Sequence, residues 1–387
     1  MTATTQPQPH TTHNATAGAH EFFRPQSALW WAYCGLVAVG TSGILIAVSR
    51  GFLAAKDALW LTTPLFAITL VLFVMMVLAC DPYRARRPWV FALGSLAGGT
   101  VATWLSLHGN QAITNVVTAL MPDAVGEKWS AAIAGPTTEE WSKMLVIMLV
   151  MLIANHTCTR IMHGLLLGGF VGLGFQLFEN IIYASNSALS NANSDLSGAL
   201  SVTVMRSLVG VSSHWLFSAI VGTGVAILVG RSVRQFSLPQ RIIRFLGLFL
   251  CGYSLHFLWN SPVPEGDMGV VVLVAKVPLI IMVFVIVLRW VWKQERNWLT
   301  EVDQKVSADY FAGPGREKEN SAGLDFDLSD IRAAIGTRKQ RVKVRKKIKS
   351  THGKQAVKEL TTRQKHYVDA LQAWGRRDSQ IDSDIWN

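Results

Sequence analysis

The chain has 387 residues, half of them hydrophobic and only 16% charged, with a formal net charge of +11. A soluble domain of this length carries about 25% charged residues, so the composition excludes an ordinary soluble enzyme and points to a membrane protein. The charge is also segregated: much of the positive excess lies past the last apolar run, at Arg332, Arg338, Lys339, Arg341, Lys343, Arg345, Lys346, Lys347 and Lys349.

Residues 1–28 are rich in Thr, Gln, Pro and His and contain no apolar stretch of signal-peptide type, so a disordered cytoplasmic tail is expected there. The first hydrophobic run then serves as the insertion signal. Runs of about 20 apolar residues, enough to cross a ~30 Å hydrocarbon core, predict about eight spans. They are Leu29–Val48, Ala58–Cys80, Trp89–Leu107, Glu139–Ala154, Met162–Tyr183, Ser201–Gly230, Ile242–Ser261 and Met268–Trp292. Asn110–Leu120 reads as an interfacial helix. The fold class is therefore an all-α polytopic membrane protein, with a membrane domain over 29–292 and a basic C-terminal segment over 293–387. Within that segment Lys293–Ala308 continues as a helix and Phe311–Leu324 reads as a linker.

Lys and Arg mark the cytoplasmic loops. With the N-terminus inside, Arg84, Arg86, Arg87, Arg160, Arg231, Arg234, Arg241, Arg244 and the basic tail all fall on the cytoplasmic side, so both termini are expected there, in a cell membrane. The patterns Asn14-Ala-Thr16 and Asn155-His-Thr157 then lie on the wrong side for glycosylation. The cysteines, Cys34, Cys80, Cys158 and Cys251, form no C-x-x-C pair, which suggests neither a disulfide framework nor a thiolate metal site. The basic tail reads as a binder of anionic lipid, at ~1 kcal/mol per residue. It lacks the interleaved aromatics of a nucleic-acid site, and none is expected.

Against this background a few ionisable residues lie inside the spans. A charge at a helix centre costs roughly 2.5–3.5 kcal/mol on the mildest scale, so each is a functional candidate by default. Glu139 and Glu140 open the fourth span, with Lys143 three and four residues on, so that one ammonium addresses both carboxylates. Thr137-x-x-Glu140 equally fits a helix capping box, and the two readings weigh about evenly. Glu179 follows Phe175 in a glycine-dense fifth span and has no cap to account for it. His214 lies deeper, in the sixth span, where a lone hydrogen-bonded histidine is the competing reading. His256 and Asn260, at i,i+4 in the seventh, put an imidazole and a carboxamide on one face, a pair suited to an ion or an oxyanion. By the loop charges most of these residues fall in the outer half of the membrane. His10, His13 and His20 in the tail, and His108, His156 and His163 at span ends, are weaker candidates.

The ordered set Glu139-Glu140-x-x-Lys143, Phe175-x-x-x-Glu179, His214 and His256-x-x-x-Asn260, each in a successive span, resembles the PrsW family of intramembrane proteases. That family is grouped with the CAAX-processing and abortive-infection membrane proteins. The stretch Lys293–Leu299 is also similar to the family's sequence after its last helix. CAAX-processing enzymes carry Phe-x-x-x-His where this chain has Glu179, which separates it from prenyl-protein substrates. The resemblance covers roughly Leu29–Glu301. It implies a CAAX-protease-like core and site-1 cleavage of a single-span, anti-sigma-factor-like substrate near the extracytoplasmic face, in a stress response. The roles expected are Glu139 or Glu140 as the base for water, Glu179 and His214 as holders of that water or of an ion, and His256 with Asn260 at the oxyanion. Glu179, His214 and His256 make a plausible zinc set. A metal-free, glutamate-driven mechanism uses the same residues. The competing classes are a non-catalytic scaffold or bacteriocin-immunity-type protein, and a proton-coupled transporter.

Overall fold

A computed structural model describes residues 23–312 and 326–384. Residues 1–22 of the N-terminal tail, with Asn14 and its histidines, and residues 313–325 of the expected linker lie outside the described residues. Every regular element described is helical: α1 Ala28–Ala54, α2 Lys56–Ala79, α3 Pro88–Ala97, α4 Thr103–Leu120, α5 Asp123–Ile153, α6 Ile161–Ser190, α7 Asp195–Val209, α8 His214–Leu228, α9 Leu238–Asn260, α10 Asp267–Ala312, α11 Leu328–Arg332 and α12 Arg338–Asp384. A π-turn, Gly98–Ala102, joins α3 to α4 in one continuous rod, and a 3-10 turn, Gly210–Ser212, separates α7 from α8.

Seven rods are long and apolar enough to cross a membrane: α1, α2, α3–α4, α6, α7–α8, α9 and α10 through Val306. The helix α5 lies between two of them, and its apolar section is interrupted by Glu139, Glu140 and Lys143. Seven such rods thus stand where about eight spans were expected, and the expected fourth span, in α5, is the one not among them. The multi-pass, all-helical class stands.

Three boundaries differ from expectation, each for a physical reason. Asn110–Leu120 is not a separate interfacial helix; it is the second half of α4. The fourth span begins at Asp123 and runs straight through Gly135-Pro136. Proline removes one backbone donor, but in a bundle hydroxyl side chains can bond the freed carbonyls. Pro136 frees Ala132 O, and at the next two carbonyls Thr137 Oγ1 donates to Ile133 O at 2.6 Å and Thr138 Oγ1 to Ala134 O at 3.1 Å. Glu139 and Glu140 consequently sit in mid-helix, and the capping-box reading is overturned: the Thr137 hydroxyl faces backwards along the helix and across to Tyr253 Oη at 2.9 Å. Finally, the long sixth span breaks at Gly210–Ser213, so His214 opens a new helix.

The core is built on α6 against α8. Gly164, Gly168 and Gly172, one turn apart, face the partner backbone so closely that a Cβ would fall 2.3, 2.1 and 2.5 Å from the carbonyls of Gly222, Ser218 and His214. Only glycine permits that approach, the small-residue packing by which membrane helices associate without a hydrophobic driving force. It also draws the start of α8 against the middle of α6, where Phe175 and Glu179 lie.

The C-terminal residues are more ordered than a solvated tail. The helix α12, kinked at Gly353 (φ 82°), folds back on α10 and on the loop before α3. Leu299, Val302, Val306, Tyr83, Ala334, Ile335, Tyr367, Val368 and Leu371 form a second core there. The carboxylate of Glu295 receives Arg160 Nε at 3.0–3.1 Å and Gln372 Nε2 at 3.0 Å, all three side chains being buried. Much of the basic cluster, Lys343, Arg345, Lys346, Lys347 and Lys349 among it, remains on the exposed side of α12.

Candidate active site

Four helices deliver the candidate residues to one point. The helix α5 carries Glu139, Glu140 and Lys143; α6 carries Phe175 and Glu179; the first residue of α8 is His214; and the last turns of α9 carry His256 and Asn260. All lie in the half of the bundle nearer the loops 121–122, 191–194 and 261–266, away from the arginine-rich loops. Glu139, Glu140, Lys143, His214 and His256 are buried, none more than 4% exposed.

Each imidazole is held from behind by a carboxylate. Glu179 Oε2 lies 2.7 Å from His214 Nε2, and Glu140 Oε1 lies 2.9 Å from His256 Nδ1. These contacts turn the other ring nitrogens toward a common atom, Glu139 Oε2, which is 3.4 Å from His214 Nδ1 and 3.8 Å from His256 Nε2. The rings stand nearly perpendicular, at 88°, with centroids 5.1 Å apart. Phe217 stacks on His256 and Phe175 packs against His214, fixing both planes.

Charges are balanced closely, as a dry site demands. Lys143 Nζ lies 2.7 Å from Glu140 Oε1 and 3.5 Å from Glu139 Oε2, and it stands 4.3 Å from the centroid of Phe175. Arg206 of α7 bonds Glu179, and its Nε reaches Asn180 Oδ1 at 2.5 Å. Three carboxylates therefore face two cationic side chains, leaving one negative charge over if the histidines are neutral. Glu139 Oε2 is buried and accepts no hydrogen bond, although its sister Oε1 receives Asn110 Nδ2 at 3.2 Å.

Those observations fit a divalent cation. Glu139, His214 and His256 each offer one ligand atom, all within 4.8 Å of one another, and nitrogen with carboxylate oxygen is a donor set that suits zinc. Second carboxylates on the far nitrogens of both rings are the outer shell that metal-binding histidines ordinarily have. The converging set differs from the one expected from sequence. Glu179 is not its third member, because it is spent on the rear nitrogen of His214 and on Arg206; Glu139 takes that place.

A family model describing PrsW family intramembrane metalloproteases matches residues 86–289, just over half of the chain. The chain belongs to this family. It is a membrane-embedded peptide hydrolase of metalloprotease type; the eight residues of the four motifs fall inside the matched region of the PrsW-family domain, and Lys293–Leu299, also quoted for the resemblance, falls outside it. No curated protein and no solved structure matches it.

Residues that the sequence reading passed over complete the PrsW-family site. Arg206 stands beside an apolar run, a signal of the same kind as Glu179. Asn110 carries no charge and gave no signal. Lys276 of α10 did give one, a lone ammonium in the most apolar helix; its Nζ donates to Ser261 O at 2.7 Å and to Ser261 Oγ at 3.0 Å, capping α9 just beyond Asn260. Asn260 Nδ2 reaches Ala131 O at 3.1 Å, a tie between α9 and α5 that Gly135 makes room for, and His256 Nε2 of its own helix at 3.2 Å.

Proposed function

We propose that this protease cleaves a single-span membrane protein near the extracytoplasmic face of the cell membrane, with Glu139 as the carboxylate at the reacting centre. The observation that carries the reading is the convergence of His214 Nδ1 and His256 Nε2 on the hydrogen-bond-free Glu139 Oε2. Glu139, His214 and His256 would hold the metal, and zinc is the ion their donor chemistry suits best. Such an ion supplies a water of lowered pKa and polarises the scissile carbonyl.

The chain's own residues do the rest. Glu179 and Glu140 hold the two rings and their tautomers, with one ring nitrogen of each left as a lone pair toward the centre. Lys143 offsets the charge of Glu139 and Glu140, and Arg206 that of Glu179. Asn110 holds Glu139 Oε1, so that Oε2 stays aimed at the histidines. Asn260, whose carboxamide lies beside His256 near the end of α9, would turn one Nδ2 proton from His256 Nε2 to the oxyanion that forms when water adds to the peptide carbonyl. The side of the membrane follows from the loop charges: the arginine-rich loops lie at the far end, so the site sits in the outer half and both termini are cytoplasmic. Family membership supports an anti-sigma-factor-like substrate and site-1 cleavage. The exposed basic face of α12 supports contact with anionic lipid.

A second reading rests on Lys143. Its Nζ is 3.2 Å from His214 Nδ1, so a cation already borders the converging atoms. There Glu139 Oε2 takes the proton of the attacking water with no ion present. Cleavage of a candidate single-span substrate by wild type, Glu139→Gln and Glu140→Gln, with and without chelator, separates the two. The metal reading expects chelator to abolish cleavage and a divalent ion to restore it. In both readings Glu139→Gln loses about 10²–10⁴-fold or more, and Glu140→Gln, which only loosens His256, about 10–100-fold. Equal cleavage by all three proteins would sink the assignment.

A further inference from the structure

A cavity of about 570 Å³ opens between α1, α4 and α6 on the same half of the bundle as the active site. It is of the size of a ligand site, typically ~300–1,000 Å³. Gly51 of α1, Gln111 and Asn115 of α4, and Ile182, Ser185 and Asn186 of α6 line it.

Its walls continue those of the active site. Ile182 and Asn186 follow Glu179 at +3 and +7, so they extend the same face of α6 by about 10 Å toward the bundle's end. Gln111 adjoins Asn110, which holds Glu139. The groove therefore rises from the level of the reacting carboxylate toward the end of the bundle, where a substrate's chain leaves its own apolar span.

Ala47, Val48, Leu107 and Ala112 make the rest of the lining apolar, apart from His108, and against it the carboxamides form the polar strip that bears on the occupant. Gln111 Nε2 bonds Asn115 Oδ1 at 2.8 Å, which leaves the Gln111 carbonyl and the Asn115 amide protons available. Asn186 is exposed beside them and makes no hydrogen bond among the described residues. A lipid tail has no use for three carboxamides. A transmembrane helix offers none of its backbone groups, which are bonded within it, whereas an extended chain presents an N–H and a C=O at every residue. Gly51 keeps the groove open on the α1 side: a Cβ there would come within 3.3 Å of Ser185 Oγ.

We propose that this groove binds the substrate's juxtamembrane segment in extended form, through backbone hydrogen bonds to Gln111, Asn115 and Asn186, and leads its peptide bond to Glu139. This rests on the peptidase reading above. The test uses full-length protein in nanodiscs and a synthetic single-span polypeptide, a Leu/Ala helix of about 20 residues followed by a flexible Gly/Ser-rich segment. A photo-crosslinking side chain is placed at Asn115 or Asn186, with lipid-facing Ile68 and Ile286 as controls, in wild-type and Glu139→Gln backgrounds.

The expected result is adducts from both groove positions, mapping to the Gly/Ser-rich segment and equally strong with Glu139→Gln. Groove-filling Gly51→Trp and Ser185→Trp should weaken the adducts and raise KM about tenfold with kcat retained, the mark of lost ground-state binding. Adducts no stronger than the controls, or adducts to lipid alone, overturn the proposal whatever the cleavage result. Adducts without cleavage by the wild type would leave the groove standing and count against the peptidase reading instead.

Discussion

At the scale of residues, a buried carboxylate is defined by what its two oxygens touch. Glu140 spends Oε1 on Lys143 and His256, and Glu179 spends Oε2 on His214 and Arg206. Glu139 alone directs an oxygen without a hydrogen bond at both imidazoles. Arg206 supports the site as the counter-charge paired with Glu179 behind His214. Arg206→Met should reduce cleavage about 10–100-fold, as loss of an outer-shell partner does. Single-turnover kinetics would check it, with a drop in kcat rather than a rise in KM as the expected form. The positions of the candidate residues were legible in the sequence, since glutamates and histidines inside apolar runs need partners. Their division of labour was not. Which ring nitrogen faces which oxygen depends on the rotation of α6 against α8, and no spacing along one helix encodes that, so the convergence of both rings on Glu139 rather than Glu179 was hidden.

At the scale of elements, three local devices aim the site. Glycines on α6 bring α8 within backbone contact, the break at Gly210–Ser213 puts His214 at the start of a helix, and Lys276 caps the end of α9. The break is pinned from α6, where Gln176 Nε2 donates to Gly210 O at 3.2 Å. Lys276 touches no catalytic residue and acts through the helix end. Lys276→Met should lower kcat several-fold with little change in KM, by letting His256 and Asn260 drift, and Lys276→Arg should recover part of the loss. Equal activity of Lys276→Met and wild type would remove Lys276 from the account. The glycine ladder was legible as a packing surface. The continuity of α5 through Gly135-Pro136 was not, because Gly-Pro reads as a helix breaker. The Thr137 hydroxyl, which the sequence offers as a cap, instead bonds back to Ile133 O inside a continuous helix.

At the scale of the whole molecule, the catalytic end and the arginine-rich end lie at opposite ends of one helical bundle. The far end is closed by α12, and the tie is the buried cluster of Arg160, Glu295 and Gln372, with Trp298 under the Arg160 guanidinium at 3.7 Å. Removing one member of a buried ion pair strands the other, at a cost of about 3–5 kcal/mol. Arg160→Met should therefore release α12, seen as faster proteolysis after residue 326 and a lower melting temperature. The seven apolar rods were legible from hydropathy alone. The docking of α12 was hidden because its polar composition, read in one dimension, resembles a solvated tail; its few apolar residues, Tyr367, Val368 and Leu371, meet their partners only across the fold.

The account stands most directly on the metal content of the purified protein. Wild type prepared without chelator should carry about one equivalent of divalent metal, zinc by donor chemistry. Glu139→Gln should lose it, and Glu140→Gln should retain it with affinity weakened about 10–100-fold. Metal bound equally by Glu139→Gln and wild type, or metal-free wild type that cleaves its substrate unaffected by chelator, would contradict the assignment of Glu139, His214 and His256 as the metal centre.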